Sequence, residues 1–456
     1  MRRTFLRLAL TLNEPFRIGT WLSSDPGQAV EGVRQATATD PDGAIYIPAS
    51  GLAGSLRAHA GSDAVELFGP TVTKRGDELT PSPWAVRGVV VRAELIATPR
   101  GQTAIDRRRR AASNTSYRES DEVAVPSSSE PHLRVYLVGD DAPLDLLLGH
   151  LRTWAPTLGG GTSRGLGRAR LSEVVHRTLD LGADKDLLEL VASDGGPEGI
   201  DLLLSTPAAQ VLDPRGFEPA THPSWHIECG FRHDLGLAAP KDRETAVQLV
   251  KKLHGSALKG LLRARVEFIG RSMGWPVCEP TEDPIGSHRC SSCPEDRMCD
   301  DCRAAARCDV CKAFGSTDRP AALAFLSSSV SAVRGPFSRQ RVAINRFTGG
   351  SQQWQRADNI QGALFPEHTQ EAGVFSVTVE RRRPVAPWVE QAFLHAWRDL
   401  DDGLIAVGPR GAIGLGSIAV RRVSLPDDRK EWDLVSEDTP RWDSLLLPVP
   451  APVPAA

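Results

Sequence analysis

Seven of the eight cysteines fall between Cys278 and Cys311. That window holds three CxxC pairs, Cys290/Cys293, Cys299/Cys302 and Cys308/Cys311, with Cys278 and His288 upstream. Two thiolates separated by two residues can grip one metal ion, and four such ligands close a tetrahedral zinc site. Eight candidate ligands suffice for two ions. A closed thiolate site leaves no position for water, so the expected zinc is structural. Clustered pairs in an otherwise cysteine-poor chain point to metal rather than disulfides. Cys229 stands apart in an apolar strand pattern and reads as a core residue.

Acids form the second set of candidates. Asp234, Asp242 and Glu244 lie between a strand and a helix in the second half, and Asp25, Glu31, Asp40 and Asp42 lie in the matching loop of the first. A loop carboxylate beside bound RNA could hold a Mg²⁺ ion or orient a 2′-hydroxyl for attack on its own phosphate. The bland alternative for each is a solvated loop acid. No Ser/His/Asp or Cys/His pattern accompanies them.

The cations come in clusters. Arg57, Lys259, Arg263 and Arg265 follow small-residue helix entries, where free N–H groups favour anions. Arg164 and Arg168 flank a glycine-rich loop and could pair with phosphates. In the second such loop Ile413 stands where Arg164 would be, so that loop is expected only to pack. Asp106 precedes the basic run Arg107–Arg110, which suits a phosphate backbone or a plain solvated face. Arg346 and Phe347 at the matching position offer a cation and a stacking ring, as single-stranded RNA requires.

These motifs recur in order. Ser50–Arg57 is echoed by Ser256–Arg263, Leu67-Phe68-Gly69 by Ala313-Phe314-Gly315, Ala104–Arg107 by Ala343–Arg346, and Gly159–Gly167 by Gly408–Gly416. The offsets are 206, 246, 239 and 249, so the second copy carries an insertion after its first landmark. Repetition on this scale predicts two tandem copies of one domain rather than a short solenoid repeat.

In the first copy the pattern predicts a strand over Thr4–Leu12, a loop over Ser23–Gly43, a helix from Gly51 to Phe68, and strands over Val86–Ala97 and His132–Val138. A polar hairpin or loop fills Thr98–Val123, a helix Pro143–Trp154, and a closing strand Arg168–Val174. Strand–helix–strand–strand–helix–strand is the ferredoxin-like arrangement, and the fold class is α+β. The second copy repeats it with a strand over Trp225–Phe231, a helix over Ser256–Phe268, strands over Ala321–Ser327 and Val374–Arg382, a helix over Pro387–Leu400 and a strand over Ser417–Val423. The expected division is a first domain over 1–175, a helical connector over 176–200 and a second domain over 201–440, interrupted by the zinc insertion over 278–311. A Pro/Ala-rich tail occupies 441–456, and its segment Pro448–Ala456 is expected to be disordered or extended.

The 456 residues allow two or three domains, and the net charge of −3 neither demands nor excludes nucleic acid. No run of about 18 apolar residues occurs, so no membrane span is expected. The start, with Arg7 inside it, reads as a strand rather than a leader, and a cytoplasmic protein is expected.

The stretch Asp40–Arg57 resembles the hallmark of the RAMP superfamily of CRISPR-associated proteins. So do Leu67-Phe68-Gly69, Ile105-Asp106-Arg107 and Gly159–Gly167. The likeness is to the repeated backbone subunits of type III effector complexes, of the Csm and Cmr kinds and III-D-like, here as two fused copies. It implies a modified RRM fold that grips CRISPR RNA, with a hairpin thumb that kinks the duplex of guide and target RNA. It implies further type III subunits as partners: a large signalling subunit, a small subunit and other RAMP subunits. It also implies Mg²⁺-dependent cleavage of target RNA by an aspartate after the first strand. In the first copy that position carries Arg34; in the second, Asp242 is the first candidate and Asp234 the next. A purely structural backbone subunit is one alternative. A CRISPR-RNA-processing ribonuclease using His59, His233 or His254 is another, and a zinc-containing nucleic-acid-binding protein outside CRISPR defence is a third.

Overall fold

Residues Arg2–Leu12 form a strand, β1, whose side chains divide between two faces. Leu6, Leu8, Leu10 and Leu12 join one core and Phe5 another. This alternation sets the layering of the first of two units, Met1–Thr221 and His222–Ala456. The computed structural model describes residues 1–19, 36–70, 81–102, 105–106, 111–112, 118–126, 130–193, 196–213, 216–237, 247–277, 279–280, 288–289, 308–316, 320–345, 347–351, 353–356, 359–362, 364–426, 431–434 and 442–452.

In the first unit β1 is followed by α1 (Ala49–Ala60), α2 (Ala64–Phe68), β2 (Trp84–Val91), β3 (Ile96–Gln102), β4 (Arg118–Ala124) and β5 (Leu133–Asp140). Then come α3 (Leu144–Thr153), β6 (Ala169–Asp180), α4 (Asp184–Ala192), α5 (Pro197–Leu204) and β7 (Gln210–Leu212). The main sheet is antiparallel, in the order β2-β5-β1-β6-β7. First and last strands of the βαββαβ unit lie side by side, as in ferredoxin-like folds. One face packs on Leu52, Leu56, Leu147 and Leu151 of the helices. The other is covered by Ile200, Leu203 and Leu204 of α5.

The second unit runs β8 (Ser224–Phe231), β9 (Leu235–Gly236), α6 (Gly255–Ser272), α7 (Asp309–Phe314), β10 (Leu323–Phe325), β11 (Arg334–Val342), β12 (Gln353–Arg356) and β13 (Asn359–Gly362). It continues through β14 (Leu364–Glu371), β15 (Val374–Arg381), α8 (Pro387–Asp401), β16 (Ile418–Ser424) and β17 (Glu431–Asp433). Its main sheet, β10-β15-β8-β16-β17, has the same order as the first. In both, the first strand slips register against the last, between Ala9 and Leu10 and between Glu228 and Cys229. Buried Trp388, Val389, Ala392, Phe393, Ala396, Trp397 and Leu400 recur at helical spacing along α8. Phe393 meets Trp225 with ring centroids 5.3 Å apart. Cys229 is buried in this core, and that burial pushes its thiol pKa upward.

Several expectations shift. The helix predicted over Gly51–Phe68 breaks at Gly61 (φ 56°) into α1, a 3₁₀ turn and α2. The strand predicted over Val86–Ala97 is two: β2 pairs in the main sheet, while β3 leaves to pair with β4. Residues 176–221, expected to hold the connector and the opening of the second domain, lie in the first unit. Apolar residues of α5 and the pairing of β7 with β6 hold them there. Of the segment expected to be disordered or extended, the described part lies against the fold: Val449 is buried, and Trp275 Nε1–H donates to the Pro450 carbonyl at 2.7 Å. The expected zinc insertion over 278–311 is described only at 279–280, 288–289 and 308–311. No helix among the described residues is long and apolar enough to cross a membrane.

Candidate nucleic-acid interface

The repeated helix motif ends in an arginine, and each arginine closes the repeated Phe-Gly turn. Arg57 donates from Nη1 to the Phe68 carbonyl at 3.1 Å and from Nη2 to the Gly69 carbonyl at 2.8 Å. Arg263 donates from Nη1 to the Gly315 carbonyl at 2.8 Å and from Nε to Glu267 at 2.9 Å. Both were read from sequence as RNA-binding. The structure turns these donors inward, to the fold. Lys259 is half-buried on α6.

The two glycine loops share one backbone. Gly161 is left-handed (φ 83°), a 3₁₀ turn over Thr162–Arg164 follows, and Gly165 is left-handed again. Arg410 (φ 67°), Gly411–Ile413 and Gly414 repeat the sequence of conformations. Gly167 and Gly416 close the loops, with φ values of 72° and 71°. A Cβ on either would stand 1.9 Å from a carbonyl oxygen, of Leu158 or Val407. Arg168 leaves the first loop half-buried, its carbonyl accepting from the Asn13 N–H at 2.9 Å.

Behind each loop a carboxylate gathers arginines. In the second unit Glu367 of β14, fully buried, accepts from Arg341 Nε of β11 at 2.5 Å and from Arg410 Nη1 at 2.6 Å. Burial alone would raise the Glu367 pKa; the hydrogen bonds and charges of Arg410 and Arg341 outweigh it, and the net shift is downward. In the first unit Glu122 of β4 accepts from Arg100 Nη1 of β3 at 2.5 Å. Glu122 also acts through its charge on Arg164, whose pKa burial lowers. The registers agree: Arg100 stands opposite Ser120 and bonds diagonally to Glu122, as Arg341 stands opposite Phe365 and bonds to Glu367. The sequence reading found Arg164 but missed Arg410, because the two arginines occupy different positions in the aligned loops.

Arg341 and Glu367 belong to a basic hairpin of β11 and β14. Eight of nine residues of β11 are exposed, among them Arg334, Phe337 and Arg339. Asp234 lies at its foot. The Asp234 carboxylate accepts from Arg339 Nη2 at 3.0 Å and from Thr369 Oγ1 at 3.3 Å. The Asp234 carbonyl accepts from the Gly416 N–H, where Pro15 serves Gly167 in the first unit. Beyond β11, the Asn345 side chain caps the N–H groups of Phe347 and Thr348, and Phe347 is 100% exposed at that turn.

Cys308 caps α7 and Cys311 follows one turn later, its sulfur 3.5 Å from Arg263 Nη2. Of the other candidate ligands, Cys278, Cys290, Cys293, Cys299 and Cys302 lie outside the described residues, and His288 is described only in its backbone, paired with Pro280. No three His, Cys, Asp or Glu side chains group as a metal site among the described residues. Arg107, Asp242 and Arg346 also lie outside them.

No curated protein matches the chain. The family likeness is carried by the unit that holds the basic hairpin and the second glycine loop: residues 245–419 match the model of the RAMP superfamily.

Proposed function

We propose that the chain is a CRISPR-RNA-binding backbone subunit built from two RAMP domains in tandem, working in a type III antiviral effector complex. The family match over residues 245–419 carries this reading. The first unit joins it because its main sheet has the same strand order and its glycine loop the same backbone. The RNA would run along the basic hairpin of the second unit and both glycine loops, gripped through phosphates and stacking, while base pairing reads the target. Its partners would be CRISPR RNA, complementary target RNA, and the large, small and other RAMP subunits of the complex. A structural zinc would sit on Cys308, Cys311 and ligands from the cysteine-rich segment.

Cleavage of target RNA with Mg²⁺ would fall to the loop after β8. Within that loop Asp234 is bound to Arg339 and Thr369, which favours a positioning role for it and leaves Asp242 as the candidate acid. The purely structural backbone subunit is the second reading, and the same Asp234 contacts support it.

The test is expression with a CRISPR array and the neighbouring subunits. Guide RNA should co-purify, and Asp242→Ala should lose one cut in target RNA with assembly intact. Unchanged cuts would remove Asp242 from the mechanism. No cuts in either protein would favour the structural reading, and absence of guide RNA would overturn both.

A further inference from the structure

We propose that Arg341 and Arg410 form a phosphodiester-binding pair in the second unit, aimed by Glu367 as a positioning residue, and that Arg100, Arg164 and Glu122 form its counterpart in the first. The inference rests on the RNA-binding reading above and names the groups that would grip the backbone.

The loop arginine changes position between the two units. Aligned by their glycines, Arg164 is the sixth residue of its loop and Arg410 the third. A Cβ built on Gly161, the third residue of the first loop, would lie 3.2 Å from Arg164 Nη2. Arg164 thus folds back over the site from which Arg410 springs. Two different sequence positions deliver a guanidinium toward equivalent hairpin carboxylates, Glu122 and Glu367. A loop that only packed would have no need of the cation in either form.

Exposure separates this arrangement from a plain brace. Arg263, which ties α6 to its turn, has a side chain only 11% exposed. Arg341 and Arg410 are 39% and 36% exposed, while Glu367 between them is at 0%. The buried oxygens fix the planar forks, and the exposed parts face solvent beside the glycine loop. Phosphate oxygens match guanidinium geometry, and forks already held in place lose little freedom on binding.

The test is binding of the full chain to a labelled mixed-sequence single-stranded RNA across a salt series. Arg341→Gln and Arg410→Gln should each weaken binding and lower the slope of log K against log salt by about 0.7 per lost contact. Glu367→Gln removes a negative charge, so a purely electrostatic effect would tighten binding; a positioning role predicts weaker binding. Arg410→Gly should weaken binding, and adding Ile413→Arg should restore it, because that double variant recreates the first loop's arrangement. Should Glu367→Gln fail to fold, the Arg410→Gly and Ile413→Arg pair decides. Wild-type affinity and slope in the Arg341→Gln and Arg410→Gln variants would overturn the pair alone. A wild-type chain that binds no RNA would overturn the RNA-binding reading as well.

Discussion

Arg263 Nη1 donates to the Gly315 carbonyl at 2.8 Å across 52 residues of sequence, the contact that Arg57 makes with Gly69. Arg263 also pairs with Glu267, whose side chain is 1% exposed. Removing one member of a buried ion pair strands the other and costs about 3–5 kcal/mol. Arg57→Ala removes hydrogen bonds to backbone carbonyls, each about 1 kcal/mol net. Chemical denaturation should therefore show a loss of about 3–5 kcal/mol for Arg263→Ala, confined to the transition of the second unit. A loss within a few tenths of a kcal/mol would count against the buried pair.

Acid should loosen both units. The Glu367 pKa is lowered by Arg410 and Arg341 against its burial, and the Asp201 pKa by Arg7 and Tyr136 against its burial. A depressed folded value means that the stabilisation is complete above the ordinary carboxylate range near pH ~4 and is lost as pH falls through the folded value. Melting temperature should drop below about pH 4. Asp201→Asn and Glu367→Gln should each flatten that drop while lowering stability at neutral pH. A slope unchanged in both would place the acid sensitivity elsewhere.

The periodicity of β1, α3 and α8 was legible because each buries one face at its own repeat, as Leu147 and Leu151 do on α3. The basic strand Arg334–Val342 was not, because exposed strands carry no buried alternation to read. Its role at the candidate interface comes from pairing with β14, a long-range register. The repeated arginines Arg57 and Arg263 were visible as an echo, but composition cannot say whether a cation faces solvent or a carbonyl. Arg410 escaped for a geometric reason: a side chain long enough to fold back makes the third and sixth loop positions equivalent, and column-by-column comparison sees only Ile413. Burial of the tail residue Val449 was hidden among prolines that read as disorder.

Metal should be part of the second unit. The proposed site uses Cys308 and Cys311, fixed at the start of α7 beside Arg263. Elemental analysis of the purified chain should find about one or two zinc ions, the range that eight candidate ligands allow. Cys311→Ser should lower that content, and a strong chelator should destabilise the second unit selectively, because a structural zinc contributes folding free energy. A zinc-free protein with the same stability before and after chelation would remove the metal from the reading.

Phe347 offers the sharpest separation of binding from folding. Its side chain touches nothing that the fold requires, since the residue is 100% exposed and its turn is built by Asn345. Phe347→Ala should leave the melting temperature unchanged. Stacking of a base on an aromatic ring is worth about 1–3 kcal/mol, so affinity for single-stranded RNA should fall by roughly 5- to 150-fold. The salt slope should stay at its wild-type value, because no phosphate contact is lost. Phe347→Trp should retain binding, since any large π-face can stack. A fall in affinity accompanied by a lower slope would mean that the substitution had displaced neighbouring cations. Unchanged affinity would place the RNA path away from this turn and confine it to the hairpin foot and the glycine loop.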